Sequence, residues 1–214
     1  MAKGSATSVA DAAVPALGVL ISGRGSNLQA LIDAITAGSL RARIAIVVSN
    51  RPGAGGLERA QRAGLETLVM NHRDFPSRDA FDAAVAGELK ARGVRLVCLA
   101  GFMRLIGAPL LAAFPNAILN IHPSLLPSFP GVDAQAQAVA HGVKISGVTV
   151  HLVTGELDGG PIILQAAVPV LDEDTAASLS ERILVEEHRL YPQAVALVLS
   201  GRWTLAGRRF IGPA

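Results

Sequence analysis

Leu17-Gly18-Val19-Leu20-Ile21-Ser22-Gly23-Arg24-Gly25-Ser26-Asn27-Leu28-Gln29-Ala30 decides the fold class. An apolar run, Leu17 to Ile21, gives way to a glycine-rich loop, Ser22 to Asn27, and then to a helical pattern, Leu28 to Ala37. Strand, short loop and helix in that order is the opening of a βαβ unit. The alternation repeats downstream. Ile44 to Val48, Thr67 to Met70, Val94 to Leu99 and Ala117 to Ile121 read as strands, and Gly56 to Ala63 and Arg78 to Arg92 as helices. The expected fold is therefore α/β, an open, mostly parallel twisted sheet with helices on both faces.

After about residue 130 the rhythm changes. Asp133 to Ala140 reads as a helix, while Gly147 to Val153 and Pro161 to Val170 read as two strands joined by a polar turn, an antiparallel C-terminal addition. Thr175 to Leu199 is helical, with Pro192 bending it or dividing it in two, and Arg202 to Leu205 reads as a last short strand. Residues 1–15, rich in Ala and Ser, read as a flexible tail, and 16–214 as a single domain.

Composition agrees. Half of the 214 residues are hydrophobic and only 4% aromatic, so the core is built from Ala, Val, Leu and Ile. The net charge of +2, with no Lys/Arg run interleaved with aromatics, argues against nucleic acid as a partner. The one cysteine, Cys98, lies in an apolar strand and reads as a buried hydrophobe. An internal disulfide is excluded and no stretch is apolar enough to span a membrane, so a cytoplasmic location is expected.

Two segments carry chemistry. Ser22 to Asn27 ends a strand and opens a helix, where backbone N–H groups bind anions. It lacks the Gly-Lys-Ser/Thr of a Walker A loop. Leu28 stands where a dinucleotide fingerprint needs a third small residue, and Ser49-Asn50-Arg51 stands where it needs an acid. The reading is a site for a phosphomonoester; the alternative is a tight turn capped by Ser26 or Asn27. The second segment is Ala117-Ile118-Leu119-Asn120-Ile121-His122-Pro123. Asn120 and His122, two apart on a strand, share a face, where an amide and an imidazole can hold an oxyanion and move a proton. Asp158, in the glycine-bearing turn Glu156-Leu157-Asp158-Gly159-Gly160-Pro161, is the best candidate carboxylate for His122, although a turn-forming aspartate and a structural histidine are the plainer readings of each alone. His72, His141, His151 and His188 have no metal spacing, and His151 is expected to sit on one sheet face.

The chain resembles the phosphoribosylglycinamide formyltransferase family from Leu17 to about Leu205. The resemblance is carried by Ser22-Gly23-x-Gly25-Ser26-Asn27-Leu28-Gln29-Ala30, Leu99-Ala100-Gly101-Phe102-Met103-Arg104, Asn120-Ile121-His122-Pro123-Ser124-Leu125-Leu126-Pro127, Glu156 to Pro161, and Glu187-His188-x-x-Tyr191-Pro192. It implies transfer of the formyl group of 10-formyltetrahydrofolate to the amine of glycinamide ribonucleotide, without a metal. It implies Asn120, His122 and Asp158 as the catalytic trio, Gly25, Ser26, Asn27 and Glu187 as the ribonucleotide site, and Arg78, Met103, Arg104, Leu105, Ile106, Thr154, Gly155, Glu156, Leu157 and Asp158, with Asn120, as the folate side. A phosphate-binding subregion would span about 16–115 and a folate and catalytic subregion about 116–214, in a monomer or homodimer with small-molecule partners only. Gly155 departs from the acid expected there, and Leu184-Val185 from more polar residues. Methionyl-tRNA formyltransferase, with a further C-terminal domain, formyltetrahydrofolate hydrolase, with an N-terminal one, a sugar-nucleotide formyltransferase and a non-catalytic nucleotide- or folate-binding protein on the same fold are the competing readings.

Overall fold

The computed structural model describes residues 14–213; most of the tail expected at residues 1–15 lies outside the described residues. Nine strands form one sheet in the order β3-β2-β1-β4-β5-β6-β7-β9-β8. β1 (Ala16–Ile21), β2 (Arg43–Ser49), β3 (Thr67–Val69), β4 (Leu96–Leu99) and β5 (Ile118–His122) run parallel. β6 (Ile145–Leu152) pairs antiparallel with β5, and β7 (Ile162–Pro169) antiparallel with β6. The expected sheet is present, and its change from parallel to antiparallel falls at the β5/β6 seam.

The strand alternation sorts side chains to two cores. On one face Leu17, Val19, Ile21, Leu119, Ile121, Val148 and Val150 pack under α1 (Ser26–Thr36), α2 (Gly55–Arg62), α5 (Ala134–His141) and α6 (Ala176–Leu199). On the other, Leu20, Ile46, Val97, Leu99 and Ile118 pack under α3 (Arg78–Ala91) and α4 (Ala108–Ala113). Gly18 faces α3 because a Cβ there would lie 2.4 Å from Leu89 Cδ2. By the same alternation Asn120 and His122 point to the α3/α4 side, beyond Ile118 on the same strand.

Three local expectations change. α4 has no counterpart in the sequence reading: its six residues are too few for a period, although Pro109 in its first turn is a start signal. Pro192 does not divide α6, which runs unbroken from Ala176 to Leu199. The buried face Leu179, Ile183, Glu187, Leu190, Tyr191, Ala194, Val195 and Val198 keeps one helical stripe through the proline, so packing on both sides outweighs the lost hydrogen bond. The last strand is a hairpin, β8 (Thr204–Ala206) and β9 (Arg209–Ile211), with Gly207 at φ 60° in its turn and Trp203 stacked on Phe210 at 5.0 Å.

Candidate active site

The first half of the site is the loop between β1 and α1. Gly25, the residue before α1, has φ 73° and no side chain caps the helix, so the first-turn N–H groups of Ser26 and Asn27 are left for a ligand. A Cβ on Gly25 would come within 2.5 Å of Gly56 Cα, and the Gly56 N–H donates to the Gly23 carbonyl at 3.0 Å. The two glycines let the N-termini of α1 and α2 meet. Ser22, buried at the end of β1, donates to Asn50 Oδ1 (2.6 Å) and accepts from the Met103 N–H (2.8 Å). One hydroxyl thus fastens the β4–α4 loop, which carries Met103 to Ile106, to the glycine loop.

Glu187 reaches the same loop from α6. Asn27 donates its amide to Glu187 Oε2 at 2.7 Å, while Asn27 Oδ1 is buried without a partner. Burial raises the Glu187 carboxyl above its ordinary range, against the Asn27 hydrogen bond and the charge of Arg24, which lower it. One turn later, the Tyr191 hydroxyl donates to the carbonyls of Leu99 (2.9 Å) and Leu119 (3.4 Å), which ties α6 to the ends of β4 and β5. Cys98 beside it is fully buried, with its thiol pushed up to about 12 by desolvation, and is no nucleophile.

The second half gathers around Asp158, at φ 48° in the β6–β7 loop. Its Oδ2 lies 3.4 Å from His122 Nδ1 and accepts the Gly131 N–H at 2.8 Å; its Oδ1 lies 3.4 Å from Asn120 Nδ2 and 3.6 Å from His151 Nε2. Burial alone would raise this carboxyl, but hydrogen bonding from His151 and Gly131 and the charge of His122 outweigh it and hold it below the ordinary range. His122 Nε2 meets the Phe129 carbonyl at 2.8 Å. Both nitrogens of His122 therefore face acceptors. The expected trio is assembled within a few ångströms.

His151 is the residue that sequence reasoning missed. It pairs across the seam with Asn120, its Nδ1 donates to the Leu152 carbonyl (2.9 Å), and its Nε2 is 3.2 Å from Asn120 Nδ2. Thr149, opposite His122, accepts from the Leu126 N–H (3.0 Å) and the Gln165 amide (2.9 Å) and donates to the Ser124 carbonyl (2.7 Å). These bonds pin the loop that follows His122. The signal was available: Thr149 and His151 are two apart in an apolar strand, the same pattern as Asn120 and His122.

The remaining candidates lie at the ends of elements. Arg78 opens α3, Met103 to Ile106 follow β4, and Thr154 to Asp158 follow β6. Met103 (64%), Leu105 (53%) and Leu157 (56%) are exposed apolar side chains, an arrangement suited to a flat, partly apolar ligand. Arg104 lies 5.2 Å over the Phe81 ring with its Nε buried and unpartnered, and Asp82, its carboxyl raised by burial, accepts the Gly107 N–H. At Gly155 a Cβ would meet nothing within 4 Å, so space does not demand glycine there. Leu184 lines the groove between α1 and α6, and Val185 is exposed.

Residues 17–195 match the formyl transferase family. The chain is 43% identical over 184 residues to phosphoribosylglycinamide formyltransferase of Escherichia coli, covering 86% of this chain and 87% of that one. It is 50% identical over 183 residues to the human trifunctional purine biosynthetic protein adenosine-3, covering 86% of this chain but 18% of that protein. Against trifunctional relatives of this kind the chain spans only about a seventh to a sixth of their length, 14–18%. The crystal structure of glycinamide ribonucleotide transformylase 1 from Symbiobacterium toebii superposes with a TM-score of 0.93 at 58% identity, covering 94% of this chain and 95% of that one. By sequence over most of its length and by fold, this chain belongs to the formyl transferase family, among the phosphoribosylglycinamide formyltransferases.

Proposed function

We propose that the protein transfers the formyl group of 10-formyltetrahydrofolate to the amine of 5-phosphoribosylglycinamide, giving N-formyl product and tetrahydrofolate in purine biosynthesis. The observation that carries the reading is the Asp158 carboxylate set against His122, Asn120 and His151, beside an exposed apolar rim. The folate is read as seated on Arg78, Met103 to Ile106 and Thr154 to Asp158, and supplies the formyl carbon. The acceptor is read as held by Gly25, Ser26, Asn27 and Glu187. β4 alone separates β1 from β5, so the phosphate loop and the trio stand about 10 Å apart along the sheet edge. That span suits a substrate bound by its phosphate at one end and reacting at the other, and it supports treating residues 16–115 and 116–214 as two subregions of one domain.

In the reaction the amine nitrogen bonds to the formyl carbon, and the carbonyl oxygen takes up negative charge. Asn120 Nδ2 and His122 Nε2 are the donors for it; they exchange their present partners, Asp158 for the amide and the Phe129 carbonyl for the ring, for the oxyanion. Asp158 balances the doubly protonated ring. As the bond from the formyl carbon to the folate nitrogen breaks, a proton passes from the amine to that nitrogen, with Asp158 acting through water. His151 orients the Asp158 carboxylate. No metal and no covalent enzyme intermediate enter this scheme.

The test is a formyl-transfer assay following tetrahydrofolate formation with and without glycinamide ribonucleotide. Turnover that requires the ribonucleotide is expected. Equal turnover without it would make the protein a hydrolase and refute the acceptor reading.

A further inference from the structure

We infer that Arg24 is the side-chain cation that pairs with the phosphate of the acceptor, and that it sets the preference for a phosphorylated over an unphosphorylated amine. The inference rests on the acceptor reading above and adds to it a residue that the loop backbone does not explain.

A phosphomonoester carries nearly two negative charges near pH 7, whereas a helix N-terminus offers about half a positive one. The site also holds a carboxylate of its own, Glu187, hydrogen-bonded to Asn27 in the first turn of α1. A dianion placed there needs a cation. The groove between α1 and α6 that opens beside Ser26, about 980 Å³, is lined by three arginines and His188. Arg189 is committed to Glu186 at 2.6 Å. His188 has a buried Nε2 without a partner, and burial lowers its affinity for a proton. Arg59 donates Nε to the Arg24 carbonyl at 2.9 Å and Nη1 to Gln29 Oε1 at 3.5 Å, which holds it as a brace beneath the loop. Leu184 brings no polar atom.

Arg24 remains. It sits in the loop between Gly23 and Gly25, is exposed, and lines the groove with Ser26. Among the described residues its guanidinium forms no ion pair and no hydrogen bond, so its five N–H donors are uncommitted. Its charge is felt at Glu187, which locates it on the ribonucleotide side of the loop. A fork of donors next to unsatisfied backbone N–H groups matches the oxygens of a phosphate. The plainer reading is a solvated arginine with no role.

The experiment compares wild type, Arg24→Gln and Arg24→Lys on glycinamide ribonucleotide and on its phosphate-free riboside, with Tm measured for each protein. It also reads competitive inhibition by inorganic phosphate. For Arg24→Gln the expected result is a loss of about tenfold or more in kcat/KM on the ribonucleotide and a matching rise in the phosphate Ki, the size of a hydrogen bond between charged groups. Turnover of the riboside should be unchanged, and Arg24→Lys should recover part of the loss. Equal effects on both acceptors, or none on either, at unchanged Tm would overturn the role of Arg24 while leaving the phosphate loop in place. A wild-type enzyme that does not distinguish the two acceptors and ignores inorganic phosphate would overturn the loop reading itself, and this inference with it.

Discussion

At the scale of single residues the site is a set of donors and acceptors whose partners are nearly all accounted for. On the proposed mechanism Asn120→Ala and His122→Ala each remove one oxyanion donor, worth about 3 kcal/mol. Each should lose two to three orders of magnitude in kcat, as ~3 kcal/mol implies, with little change in the circular dichroism of the folded protein; near-normal turnover in either would sink the assignment. Glu187 gives a prediction about pH. Its folded carboxyl is raised above the ordinary 4.5 by burial, so the folded chain keeps a proton that the unfolded chain has already lost. Stability should therefore fall as pH rises from about 4.5 through the raised value. Glu187→Gln, which has no such proton to lose, should gain Tm relative to wild type across that window in scans from pH 4 to 7. A constant difference between the two would contradict the buried, raised carboxyl. The trio itself was legible as residues: Asn120 and His122 by their spacing, Asp158 by its turn. His151 was not, because its role depends on the register Asn120↔His151, which pairs positions 31 apart and leaves no local trace.

At the scale of elements, caps and close approaches carry the weight. α6 begins with a reciprocal box in which the Ser178 N–H donates to Thr175 Oγ1 (3.2 Å) and the Thr175 N–H to Ser178 Oγ (3.0 Å). Thr175→Ala should cost about 1 kcal/mol of stability, read from denaturant midpoints, without touching KM. The loop after β1 is less forgiving. Gly25→Ala must place a methyl 2.5 Å from the Gly56 backbone at a left-handed φ, so the N-termini of α1 and α2 must part. The expected outcome is a raised KM for the ribonucleotide with the KM for folate close to wild type. An equal rise in both would mean that the loop serves the whole sheet edge. Helices and strands longer than a turn or two were readable from periodicity. α4 and β9 were not: α4 is six residues held by packing against β4 and β5, and β9 is three residues placed by its pairing with β8 and β7.

At the scale of the whole molecule, the α/β rhythm was visible from the first thirty residues, and the change to antiparallel pairing from the shift in pattern after residue 130. What no pattern revealed was how α6 returns from the antiparallel end to lie against α1 and the ends of β4 and β5. Tyr191 is the bolt, and Tyr191→Phe should cost about 1 kcal/mol by removing the buried hydrogen bond to the Leu99 carbonyl. It should also weaken ribonucleotide binding through the displaced Glu187, which sits one turn away.

The bond from Asn27 to Glu187 joins residues 160 positions apart. Loop closure over such a span comes late in folding, after the local strand–helix pairs have formed. During synthesis, at ~5–20 residues per second, the glycine loop leaves the ribosome roughly ten to thirty seconds before the helix that completes it. A nascent chain can therefore hold a collapsed parallel sheet long before it can hold the proposed acceptor, and on that reading acceptor binding becomes a reporter of the last docking event rather than of the first.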